Sequence, residues 1–185
     1  HAVAQENDRI VRRARAPEKI LRGLSEPTSP AWSVAAMSTD TLLTSLFRYK
    51  AWANRETFAA LATLTDGAFA AARKDALLTL NHAHIVDRIF RANLQRQVHG
   101  YTGTFPKEPP PVDMLAKSVA ETDRWYLDYL ATLDATALAE PIAFSFADGA
   151  PARMSREEML GHVITPGNFH RGETSRILAG APIEL

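Results

Sequence analysis

Residues 39–64 read TDTLLTSLFRYKAWANRETFAALATL. Leu43, Phe47, Ala51, Asn54, Phe58 and Leu61 fall at steps of three and four, the spacing of one face of an α-helix. The run stops at Thr65-Asp66-Gly67, so the first predicted helix covers 39–64. A second stripe, Leu78, His82, Ile85, Ile89 and Ala92, predicts a helix over 72–99. Gly100, Gly103, Pro106 and Pro109 to Pro111 then make 100–111 a connection. Val112, Leu115, Val119, Thr122, Tyr126, Tyr129 and Leu133 share one face of a third helix over 112–134. Ile142, Phe144 and Phe146 alternate with Ala143 and Ser145 before Asp148-Gly149, the mark of a short hairpin. Ser155-Arg156-Glu157-Glu158 is a capping box, in which a hydroxyl and a glutamate answer orphan backbone N–H groups. It starts a fourth helix at 156 that runs towards Leu178. Four long amphipathic helices with little β content predict an all-α four-helix bundle, with a crossover between the second and third helices.

Composition narrows the classes of function. The chain has 185 residues, with 21 basic and 21 acidic side chains and a formal net charge of zero. That balance gives no electrostatic footprint for nucleic acid or an anionic membrane. No cysteine is present. Disulfides, a cysteine nucleophile and thiolate metal sites are therefore excluded, and a metal would need His and carboxylate ligands. No apolar run approaches the ~18 residues of a membrane span. The expectation is a cytoplasmic protein. Residues 1–36 hold 6 basic and 4 acidic side chains, several prolines and no continuous apolar segment of a secretory signal. They read as a disordered or non-native N-terminal extension. Met37-Ser38 reads as the natural beginning, and 37–185 as the helical domain.

Polar residues on apolar stripes carry the functional signal. His82 lies four residues after Leu78 and three before Ile85, so it points inward. His84 is about 200° further round the helix. Its face, Leu77, Leu80, His84, Asp87 and Arg91, reads as a boundary. Asn54 is either a buried polar anchor or part of a site. His162 and His170 stand on one face of the last helix, roughly 12 Å apart in rise. The position that would pair with either as a ligand is 166, and it holds proline. Proline in a helix interior removes a donor and clashes with the preceding turn, at ~3 kcal/mol. The sequence therefore predicts a kink or a split near Pro166, with Asn168 capping a second piece.

Trp52-Ala53-Asn54, Leu80-Asn81-His82 with Val86-Asp87-Arg88, and His162-Val163 running on to His170-Arg171-Gly172 together resemble the DinB/YfiT-like superfamily. The resemblance covers residues 38–180. It implies a four-helix bundle, often a homodimer, with a divalent metal, zinc or nickel, on three histidines. One ligand position is that of His82; the other two, four apart, are those of Pro166 and His170. It further implies a small-molecule substrate and, in some relatives, thiol S-transfer or isomerisation with a small thiol such as mycothiol or bacillithiol. This chain departs from the pattern at Pro166, and also at Glu173, where many relatives have glutamine. An open catalytic site needs three protein ligands, and a kink at Pro166 would make His162 the substitute. Two expectations follow. One is a metal-dependent thiol transferase with a degenerate site, His82 and His170 as ligands, Asn54 lining the pocket and Arg171 anchoring an anionic substrate group. The other is a metal-free, catalytically silent dimeric bundle with a binding or regulatory role.

Overall fold

A computed structural model describes residues 39–65 and 67–183; the predicted extension over 1–36 lies outside the described residues. Four long helices are present: α1 (Thr39–Thr63), α2 (Ala70–Leu94), α3 (Val112–Leu130) and α5 (Arg156–Ile177). A 3₁₀ turn at Gly67–Phe69 joins α1 to α2, and a short helix, α4 (Ala135–Ala139), follows α3. The strands β1 (Pro141–Ser145) and β2 (Pro151–Ser155) pair antiparallel, with Ile142 opposite Met154. The fold is mostly helical, with this hairpin as its β component.

Five of the six residues predicted to share the inner face of α1, Leu43, Phe47, Asn54, Phe58 and Leu61, are buried, and Ala51 is half-buried. The capping box forms as the sequence predicts. Ser155 Oγ accepts from the Glu158 N–H at 3.1 Å, and Glu158 Oε2 accepts from the Ser155 N–H at 2.6 Å. Two predicted ends move. The second helix stops at Leu94 because Arg96 adopts a left-handed φ of 58°, and α3 stops at Leu130 because α4 begins five residues on.

Pro166 neither splits nor ends α5, which is one helix from Arg156 to Ile177. The predicted second piece capped by Asn168 is therefore absent; Asn168 lies inside α5 and accepts from Arg171. Of the stripe predicted for α2 only Ile89 is buried, with Leu78, His82, Ile85 and Ala92 half-buried, whereas Leu77, Leu80, His84, Asp87 and Leu94 are buried. Partners on other helices cause the difference, because Lys50 neutralises Asp87 and Ser118 bonds His84.

The buried apolar side chains form two clusters. One joins Leu43 and Phe47 to Phe90, Leu94, Tyr126, Leu130, Met159 and Val163. The other joins Phe58 and Leu61 to Leu77, Leu80, Leu115, Val119 and Leu178. The first contains the start of α1 and α5 and the end of α2 and α3. The second contains the opposite ends. So α1 and α5 run one way, and α2 and α3 the other. The most extensive helix contacts are α1 with α3 and α2 with α5. Between the two clusters all four helices contribute polar side chains.

Candidate functional site

The polar layer is built around a lysine. Lys50 is 2% exposed, and its ammonium donates to Asp123 at 2.5 Å and faces Asp87 at 2.7 Å. Asn54, one turn further along α1, donates to the other oxygen of Asp123 at 2.8 Å. Arg171 on α5 donates to Asn54 Oδ1 at 3.1 Å and also to Asn168. Tyr126 donates to the Asp87 carbonyl at 2.7 Å. Asn54 and Arg171, the two residues expected to contact substrate, thus meet within one network.

Burial sets the electrostatics of this layer. Desolvation opposes charge on Lys50, but the two carboxylates outweigh it and raise its pKa. Burial pushes the Asp87 carboxyl up to about 6 despite the ammonium beside it. Arg171 is lowered by burial. His84 bonds Ser118 Oγ through Nε2 at 2.8 Å, while Nδ1 has no partner among the described residues. Burial, with Arg88 and Lys50 nearby, takes His84 down to about 4, so the ring is neutral near pH 7. The void among Lys50, Asn54, Asp87 and Arg171 is about 20 Å³. A water fits that volume; an organic substrate does not.

His82 and His170 come together between α2 and α5, with ring centroids 4.8 Å apart and planes at 84°. His82 Nδ1 lies 3.1 Å from the carbonyl of Thr104, and Phe105 stacks on the ring at 3.9 Å. A carbonyl only accepts, so Nδ1 carries the proton and Nε2 keeps its lone pair. Burial lowers the His82 pKa. His170 Nδ1 faces Glu173 Oε2 at 3.2 Å, which holds that ring in the same tautomer. Each imidazole is held through Nδ1, and among the described residues neither Nε2 has a hydrogen-bond partner, the arrangement by which outer partners orient metal-binding histidines.

The donor set nevertheless falls short of a metal centre. Position 166 offers no donor. Because α5 is continuous, His162 is not drawn towards His170; it is exposed, with its ring tilted against Phe90 at 4.9 Å between centroids. Glu173 supports the His170 ring at Nδ1, away from Nε2. Among the described residues no group of three His, Cys, Asp or Glu side chains is placed to hold a metal ion. Three protein ligands are what an open site requires.

Sequence reasoning missed Lys50 and Asp123, and it missed Thr104 and Phe105 as the cover over His82. Lys50 carried a signal: it stands three residues after Phe47 and four before Asn54, on the buried side of α1. Phe105 lies in a connection without periodicity, and nothing local marks its contact.

Beside Arg171 a groove of about 970 Å³ runs between α1 and α5, lined by Tyr49, Trp52, Thr57, Asn168, Gly172 and Ser175 among others. No described helix is long and apolar enough to cross a membrane. A family model described as "DinB family" matches residues 37–180. Comparison with curated proteins and with solved structures finds no match.

Proposed function

The chain belongs to the DinB family, and we propose that it is a four-helix-bundle member without a working metal centre, serving as a dimeric binding or regulatory protein. The observation that carries this reading is Pro166 inside an unbroken α5, which leaves His82 and His170 as a two-donor pair. The connection over 95–111 is the crossover between two helices that run the same way. A small-molecule ligand has room in the α1–α5 groove beside Arg171, where Tyr49 and Trp52 supply aromatic walls. Half-exposed Leu42, Tyr49 and Trp52 on α1 are the apolar surface that favours a homodimer. The domain is residues 37–185, and the protein is cytoplasmic.

One observation favours a second reading, a zinc- or nickel-dependent thiol transferase: neither imidazole has a partner at Nε2 among the described residues. In that reading a non-protein ligand or water completes the coordination. Metal analysis of the full chain, purified without a histidine tag or chelator, separates the two. The first reading expects zinc and nickel well below one per chain. One tightly held metal per chain would overturn it.

A further inference from the structure

Two arginines on α2, Arg88 and Arg91, make none of the hydrogen bonds of the network or of the histidine pair. Arg88 and Arg91 line a cavity of about 280 Å³ with Gln95, Gln97, His99 and Tyr101. Among the described residues no acidic side chain lines it. The Arg88 guanidinium lies 5.6 Å from the Tyr101 ring centroid, and that of Arg91 lies 4.9 Å from the Trp125 ring. Stacking holds the faces of both groups and leaves their N–H edges to other partners. Arg55, Arg96 and Arg156 each have a glutamate. Among the described residues Arg88 and Arg91 have no carboxylate partner.

The end of a helix normally repels anions, because its last carbonyls are unpaired. Here they are capped. The N–H groups of Gln95, Arg96 and Gln97 donate to the carbonyls of Arg91, Asn93 and Ala92 at 3.1, 3.0 and 2.8 Å. This is a Schellman turn with Arg96 at the left-handed position. It folds the following segment back over the helix end. His99 pins that segment: the Tyr101 N–H donates to Nδ1 at 3.1 Å, so the proton sits on Nε2, which faces the Ser145 carbonyl at 3.4 Å. The backbone that carries Gln95, Gln97 and Tyr101 is therefore held in place without a ligand.

We propose that this cavity binds the phosphate group of a small phosphate monoester. Two guanidiniums and two side-chain amides offer more donors than one carboxylate accepts. A phosphate monoester carries about −1.5 to −2 charges and three strong acceptor oxygens, which matches them. The remaining volume suits a short polar organic body. The proposal does not rest on the reading of His82 and His170.

The test is calorimetric titration of the full chain with inorganic phosphate, glycerol phosphate and acetate at constant ionic strength. Saturable one-to-one phosphate binding is expected, with glycerol phosphate at least as tight and acetate weaker by about tenfold or more. In Arg88→Gln/Arg91→Gln phosphate affinity should fall at least about tenfold, whereas Arg55→Gln should leave it unchanged. Arg88 is exposed, so Arg88→Gln alone, which leaves the fold intact, should also weaken binding. Unchanged affinity in the arginine variants, or no saturation in the parent, would overturn the site. Acetate as tight as phosphate would overturn the ligand class.

Discussion

At the residue scale, Lys50 decides how the polar layer holds. Its ammonium sits between two buried carboxylates, and removing it leaves both uncompensated. Breaking a buried pair by deleting one partner costs about 3–5 kcal/mol. Lys50→Met should therefore lower stability in urea by that order, far more than an exposed lysine such as Lys74. His84 and Asp87 make a second residue-scale case, through pH. The folded pKa of His84, about 4, lies below its ordinary 6.5. Its contribution is present above pH 6.5 and is lost as pH falls towards 4. Asp87 acts the other way: its folded pKa, about 6, lies above 3.8, so its contribution is present below 3.8 and lost as pH rises through 6. The two oppose each other between pH 6 and 4, and the parent should be flatter there than either alone implies. His84→Gln removes only the acid-labile part. Relative to the parent, it should gain about 2 kcal/mol between pH 7 and 4.5, read from urea midpoints at both values. A sequence shows little of this layer. Charged and imidazole side chains on a helix face look solvated until the opposing helix supplies a counter-charge. That is why the Leu77-Leu80-His84-Asp87 face read as a boundary and turned out buried.

At the element scale, α5 shows which local signals survive folding. The capping box at Ser155 and Glu158 is local, and it was legible and formed. The penalty for Pro166 is local too, but packing overrode its structural consequence. Met159, Leu160, Val163 and Ile164 before the proline, and Thr174 and Leu178 after it, are all buried. Both halves of the helix are thus anchored, and neither is free to swing. The proline still withholds an N–H from the His162 carbonyl. Pro166→Ala restores that donor, so it should stabilise the protein by up to about 3 kcal/mol, checked by thermal and urea unfolding. A loss of stability would mean that α5 is bent around the ring in a way alanine cannot satisfy. The end of α2 teaches the reverse lesson. The helix predicted over 72–99 extends past Leu94, yet Arg96 in a left-handed conformation stops it. Glycine or asparagine there would have announced the stop; arginine does not.

At the scale of the whole molecule, the period of the apolar residues made the helical fold and the hairpin legible, because those features follow from which side chains avoid water. The running direction of α2 and α3, and the placement of Phe105 over His82, depend on a long connection without pattern. They became visible only in three dimensions. The histidine pair lies between these cases. Its two members could be picked from their positions on α2 and α5, and 4.8 Å between ring centroids brings them to one place. What they do there depends on a third donor. The most direct test is a zinc and nickel titration of the full-length parent, of Pro166→His, and of Pro166→His combined with His82→Ala. The expected result is no tight stoichiometric binding by the parent, tight one-to-one binding by Pro166→His, and its loss in the double variant. Tight one-to-one binding by the parent would contradict it.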